Sequence, residues 1–147
     1  MNQSFKLSKQ LSFGEELANS ITHAVGSALM LILLPISAIY SYQAYGVKAS
    51  VGVSIFVISL FLMFLSSTIY HAMSYNSPQK YVLRIIDHSM IYIAIAGSYT
   101  PICLIVLHGR TGLMLLALVW SIAILGIIFK LCWVTCPKWV SSVLYIA

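Results

Sequence analysis

The sequence predicts an all-α integral membrane protein, built as a multi-pass helical bundle. Among its 147 residues, 61% are hydrophobic and 7% are charged, whereas about 25% of the residues in soluble domains are charged. The mean hydropathy is +0.97. There are too few polar groups to cover a surface that faces water, so a water-soluble globular protein is excluded. The expected surrounding is the lipid bilayer.

Uncharged stretches are long enough for two membrane spans in the first half of the chain. A hydrocarbon core of about 30 Å requires about 20 apolar helical residues. The first span, at about residues 21–40, follows a polar tail. No small-residue cleavage pattern comes after it, so a cleaved signal peptide is not expected. The second span, at about 51–71, follows a short turn-like segment that ends at Gly46.

Two further spans and the start of another follow in the second half. The third span, at about 85–107, begins after the turn Asn76-Ser77-Pro78, and the fourth, at about 113–129, begins after His108-Gly109-Arg110. Short connections make consecutive helices antiparallel neighbours. A fifth apolar run, 139–147, is too short to cross a bilayer. We therefore expect four complete helices and an incomplete fifth in one partial domain that is truncated at its C-terminus.

The distribution of basic residues predicts that the N-terminus faces the cytoplasm. With that orientation, six Lys and Arg residues lie inside and two lie outside, and cytoplasmic segments carry such an excess. The inside residues are Lys6, Lys9, Lys80, Arg84, Lys130 and Lys138, and the outside residues are Lys48 and Arg110. The net charge is +5, yet no basic stripe is present, so nucleic acid is not an expected partner.

Polar residues occur at the same end of the first three predicted helices. Ionisable side chains within spans are costly unless they face a cavity or a partner, which makes them candidates for function. Helical spacing places several of them on a shared face of their helix. They are Glu16, Asn19 and His23 in the first span, Ser67 and His71 in the second, and Asp87 and His88 in the third. We therefore predict a polar cluster near the cytoplasmic face.

A purely structural explanation of these residues also stays open. Glu16 and Asp87 could be interfacial charges that the helix dipole favours, and Ser67 could bond to its own backbone one turn back. One histidine and one aspartate do not make a metal site, because catalytic zinc usually takes three protein ligands. The spacing of Cys132 and Cys136 fits neither a redox pair nor a zinc pair, so free thiols are expected.

Three motifs in order resemble the bacterial haemolysin III family, which belongs with the adiponectin and progestin receptors. They are EELANSITHAVG from Glu15, STIYH from Ser67 and DHSMIYIAIAGSYTP from Asp87. The resemblance extends from Phe13 onward. It implies a seven-helix membrane fold with a cytoplasmic N-terminus, in a bacterial inner membrane.

The resemblance also implies a zinc ion near the cytoplasmic side. In the wider superfamily the ligands are the histidine of an S-x-x-x-H motif and two histidines of an H-x-x-x-H motif in the last helix, with an aspartate acting through water. The first histidine maps to His71, its serine to Ser67 and the aspartate to Asp87. No H-x-x-x-H follows residue 136. Two of the three implied ligands are therefore absent, and this chain alone is not expected to hold zinc tightly.

Three functions follow from the resemblance and the cluster. The first is haemolysis or pore formation, although the spans carry no polar stripe that would line a wide aqueous path. The second is zinc-dependent hydrolysis of a lipid amide or ester, with Asp87 orienting water or acting as the base and Ser67 stabilising the oxyanion. The third is non-enzymatic regulation of membrane composition. Without the missing histidines the chain is expected to be inactive as an enzyme.

Overall fold

The described part of the chain consists mainly of four long helices that run in alternating directions. The computed structural model describes residues 11–74, 77–107 and 109–132. Helix α1 comprises Phe13–Tyr45, α2 Val47–Ala72, α3 Pro78–Pro101 and α4 Arg110–Cys132, and a π-helical segment, Ile102–Val106, continues α3. Each of the four is long and apolar enough to span a membrane. The predicted all-α, multi-pass architecture is confirmed.

The four predicted spans overlap these helices, and the helices extend beyond the spans at several ends because the flanking polar residues are helical too. Several sequence predictions lie outside the described residues. They concern Asn76, His108, Cys136 and the fifth apolar run, 139–147.

Helix α1 has a defined start and a defined end. Ser12 caps the helix: its hydroxyl accepts a hydrogen bond from the Glu15 amide at 3.3 Å, and its own amide donates to Glu15 Oε2 at 2.7 Å. This reciprocal pair satisfies two backbone donors that the first turn leaves free. At the other end, Gly46 has φ +79°, a conformation that glycine adopts without steric cost. A single residue therefore separates α1 from α2.

Helix α3 begins at a Ser-Pro pair. The Ser77 hydroxyl accepts from the amide of Lys80 at 3.2 Å, and Pro78 occupies the first helical position, where its missing N–H and its fixed φ suit the helix. These signals place Lys80 in the first turn of α3 rather than in a loop.

Helix α3 is the central element, packed against α2 on one side and α4 on the other. A Cβ atom on Gly97 would overlap the Ser59 side chain of α2, and one on Gly126 of α4 would lie 2.5 Å from the Tyr92 ring. Tyr92, Ala96 and Ala123 form the buried core there. Small residues allow helix backbones to approach closely in lipid, where packing rather than water exclusion drives association.

The glycine at position 97 offers a test of this packing. Adding a side chain should push α2 and α3 apart, and overpacking costs about 1–3 kcal/mol. We expect Gly97→Val to lower the thermal unfolding temperature of the chain in detergent micelles by several degrees. Gly14→Val is the matched control, because nothing lies within 4 Å of a Cβ at Gly14. Equal unfolding temperatures for the two variants would contradict the packing described here.

The helix order also gives a test of orientation. Ser12 and Ser77, which precede α1 and α3, lie at one end of the bundle with the end of α2, and Gly46 and Gly109 lie at the other. From the charge distribution we expect alkaline phosphatase fused after Gly46 or Gly109 to be active in a Gram-negative host, and the fusion after Ser74 to be inactive. The opposite pattern would show that the predicted orientation is wrong.

Candidate functional site

The polar residues predicted to share a level are found at the end of the bundle where α1 and α3 begin and α2 ends. Glu16 lies in the first turn of α1, where its side chain is 8% exposed. Its Oε2 atom lies 2.6 Å from His71 Nδ1 in the last turn of α2. Its Oε1 atom accepts a hydrogen bond from Lys80 Nζ in the first turn of α3, at 2.8 Å. One carboxylate therefore joins three helices.

Lys80 is a site residue that the sequence analysis missed. Its side chain is 7% exposed, and Nζ also donates to the Met73 carbonyl at 3.0 Å. The ammonium group lies 5.1 Å from the centroid of the Tyr70 ring, within range of a cation–π interaction. The charge count used Lys80 only as one of the basic residues on the inside. The Ser77-Pro78 helix-start signal could have placed it in the first turn of α3.

His23 and Ser67 form a second contact between α1 and α2. His23 Nδ1 lies 2.5 Å from Ser67 Oγ, and Ser67 is buried. Its neighbours Ser66 and Thr68 instead bond to the backbone of their own helix, at the Met63 and Phe64 carbonyls. Within the described residues, the Ser67 hydroxyl makes no such hydrogen bond to the backbone of its own helix.

The two histidines, Ser67 and Asp87 face one space between the helices. A cavity of about 260 Å³ is lined by these four polar side chains and by three apolar ones; the lining residues are His23, Ser67, His71, Asp87, Met63, Phe64 and Ile91. The rings of His23 and His71 are 6.0 Å apart between centroids. The Asp87 side chain is 14% exposed. Three helices thus contribute ionisable or hydroxyl groups to a single pocket.

Three members of the predicted cluster, Glu16, Asn19 and His88, do not line this cavity. His88 Nδ1 lies 3.6 Å from Asp87 Oδ2, beyond hydrogen-bonding distance, and it is buried without a hydrogen-bond partner in the described part of the chain. Asn19 is half-buried on α1.

Catalytic zinc typically takes three protein ligands that lie close together. Among residues 11–74, 77–107 and 109–132, no three His, Cys, Asp or Glu side chains are grouped so that they could hold a metal ion.

The matches with known proteins all point to the same family. The family model described as haemolysin-III related matches residues 11–147. Hemolysin-3 of Bacillus cereus and the Hemolysin-3 homolog of Bacillus subtilis (strain 168) are each 43% identical over 117 residues, or 80% of this chain. The matched region covers 53% and 54% of those proteins, so the chain spans about half the length of these curated relatives. No solved structure matches.

The buried carboxylate predicts a large loss of stability when its charge is removed. Glu16→Gln removes the carboxylate charge that faces the buried Lys80 ammonium, and breaking a buried pair in this way costs about 3–5 kcal/mol. We expect a strongly reduced unfolding temperature in detergent micelles. Combining Glu16→Gln with Lys80→Met should recover much of the loss, because both charges of the pair are then removed together.

Glu15→Gln is the matched control for this measurement. Glu15 is the adjacent, exposed residue, and glutamine can replace glutamate in its capping interaction with Ser12. If Glu15→Gln and Glu16→Gln unfold at the same temperature, the Glu16 carboxylate does not stabilise the bundle as described.

Proposed function

The chain belongs to the haemolysin III family, and on that premise we propose that its polar cluster is part of a hydrolytic site for a lipid amide or ester within the bilayer. The observation that carries the proposal is the cavity, in which two imidazoles, a hydroxyl and a carboxylate from three helices face one another. Groups of these types perform general acid–base chemistry and stabilise oxyanions.

The depth of the lining residues suits an amphiphilic substrate. His71 is in the last turn of α2, and Met63 and Ile91 lie one turn further into their helices than Ser67 and Asp87. A polar head group and its carbonyl would lie among the ionisable groups, and the acyl chain would contact the apolar lining. Such a substrate dissolves in the bilayer and can reach the site from the membrane.

The residues have distinct roles in this proposal. The Asp87 carboxylate orients a water molecule towards the carbonyl carbon, accepts its proton as the new C–O bond forms, and returns that proton to the amine or alcohol that leaves when the amide or ester bond breaks. When His23 Nδ1 donates to Ser67 Oγ, the Ser67 hydroxyl hydrogen is free to donate to the developing oxyanion. His71 would hold one position of a zinc ion, and the other ligands would come from the part of a full-length relative that this chain does not match. The chemistry that zinc would supply there is Lewis-acid activation of the carbonyl.

A second candidate function is haemolysis through a pore. It rests on the names of the two Bacillus relatives, Hemolysin-3 and Hemolysin-3 homolog, at 43% identity. Haemolysis through a pore that does not use the cluster should survive substitution of its residues. A third candidate, regulation of membrane composition without catalysis, predicts no lipid turnover at all.

The test uses a full-length relative with matching substitutions, reconstituted into liposomes that contain amide-linked and ester-linked lipids. Removing a general base typically costs about 10²–10⁴-fold in rate, so Asp87→Asn should lower lipid turnover by at least about 10²-fold. Removing one oxyanion donor costs about 10²–10³-fold, so we expect Ser67→Ala to have an effect of that order. His71→Ala should abolish turnover and lower the zinc content measured by elemental analysis.

Thr22→Ala is the control, because Thr22 is exposed and bonds only to its own helix at Ala18 and Asn19 in the described contacts. Turnover that is unchanged in Asp87→Asn and His71→Ala would refute the hydrolytic site. Red-cell lysis that persists in both variants would assign haemolysis to another part of the protein.

A further inference from the structure

Phe64 forms part of the apolar wall of the cavity, beside the residue proposed to donate to the oxyanion. It lies three residues before Ser67 in α2 and lines the same cavity, and residues at this spacing are neighbours on one helix face, roughly 5–6 Å apart at their Cβ atoms. Side chains on an α-helix tilt towards its N-terminus, so both point away from the last turn of α2 and deeper into the bundle. A carbonyl that accepts from the Ser67 hydroxyl therefore brings its neighbouring carbon atoms within reach of Phe64.

The Phe64 ring is held against α1. Its centroid lies 5.7 Å from that of the His23 ring, in an edge-to-face arrangement, and ring pairs in this geometry stabilise one another. A Cβ built on Gly26 would lie 3.2 Å from Cγ and Cδ1 of Phe64, so the ring packs directly on the backbone of the neighbouring helix. Phe64 is therefore a fixed wall, whereas Met63, with its flexible thioether, can adapt to what it contacts.

The cavity is small compared with a lipid. Its volume is about 260 Å³, and an apolar cavity of about 150 Å³ binds one benzene molecule. In that proportion the cavity holds roughly ten non-hydrogen atoms. These are the atoms on either side of the scissile bond, and the remainder of an acyl chain lies outside. Selection by the cavity therefore acts on the acyl carbons closest to the carbonyl.

On the basis of the hydrolytic function proposed above, we infer that Phe64 is a specificity-determining residue, which restricts the substrates to lipids whose acyl chain is unbranched next to the carbonyl. A branch on that carbon would meet the Phe64 ring, which His23 and the backbone at Gly26 prevent from moving back towards α1. The carbonyl of a branched substrate would then be displaced from Ser67. One methylene group in a fitted apolar pocket typically changes kcat/KM by about 10–200-fold.

The first test measures binding without hydrolysis, on the full chain in nanodiscs. The probes are methyl octyl ketone, which has no leaving group, and its analogue with a methyl branch on the octyl carbon that adjoins the carbonyl. Binding is followed through the ¹⁵N signals of the His23 ring, which are assigned by their absence in His23→Gln. We expect the branched ketone to bind at least about tenfold more weakly. Equal binding of the two ketones, or no binding of either, would overturn the inference.

Two substitutions at position 64 test whether the ring causes the preference. Phe64→Ala removes the ring and should lower the preference for the unbranched ketone by about tenfold or more. Phe64→Leu keeps an apolar contact with α1, so it serves if Phe64→Ala does not fold, and it should give a smaller change in the same direction.

Phe61→Ala is the matched control, because Phe61 is a half-buried phenylalanine of the same helix that does not line the cavity. It should leave the preference unchanged. A preference that is the same in wild type and in the folded variants at position 64 would show that Phe64 does not select the acyl chain.

The second test uses a full-length relative with the matching substitutions and two lipid esters of the same alcohol, one with an unbranched acyl chain and one with a methyl branch next to the carbonyl. We expect the ratio of kcat/KM values to favour the unbranched ester in wild type and to fall by about tenfold or more in Phe64→Ala.

The specificity inference and the hydrolytic function fail separately in these tests. If the esters are hydrolysed but the ratio is the same in wild type and Phe64→Ala, the specificity inference is wrong and the hydrolytic function stands. If no ester is hydrolysed and the ketones are still distinguished in a way that depends on Phe64, the hydrolytic function is wrong and the selection of unbranched chains stands.

Discussion

The contact on which the rest of the site depends is the buried carboxylate of Glu16, held between Lys80 and His71. Ionisable groups at membrane depth are costly unless they are paired. The three helices must therefore meet at one relative depth for the charges to be satisfied. The positions of the other polar cavity residues then follow from their helical spacing to Glu16, His71 and Lys80. His23 is seven residues from Glu16, Ser67 is four from His71 and Asp87 is seven from Lys80, which puts each on the same face as its anchor.

The opposite end of the bundle is held by different contacts. There Gly52 of α2 lies against the backbone of Pro101, with 3.1 Å between a Cβ built on the glycine and the proline Cα. Trp120 Nε1 of α4 donates to the hydroxyl of Thr100 at 3.2 Å. Close backbone packing replaces buried charge at this end. Two kinds of interaction, one at each end, thus hold α2 and α3 together.

Much of this architecture could be predicted from the sequence, because hydrophobic length and charge position are local properties. The four helices and the shared level of Glu16, His71 and Asp87 followed from span length and from spacing within each helix. What could not be predicted depends on how helices rotate against one another. The pairing of His23 with Ser67 is an example, because it requires α1 and α2 to pack closely.

Two differences between the predicted cluster and the observed contacts have simple geometric causes. His88 was grouped with Asp87, yet successive residues on an α-helix point about 100° apart, and His88 does not line the cavity. Lys80 was counted only as one of the basic residues on the inside, whereas the helix that starts at Pro78 brings it over the end of α2.

The single-residue connection at Gly46 has a consequence for the order in which the bundle assembles. Contacts beside a tight turn require little loop closure, and those far from it require more. Glu16 and His71 are 55 residues apart in the chain, at the end of the α1–α2 hairpin most distant from Gly46. Loop-closure entropy therefore favours pairing of these two helices that starts near the turn and proceeds away from it. We expect the carboxylate–imidazole contact to close late, once the hydrophobic lengths of both helices are already in register.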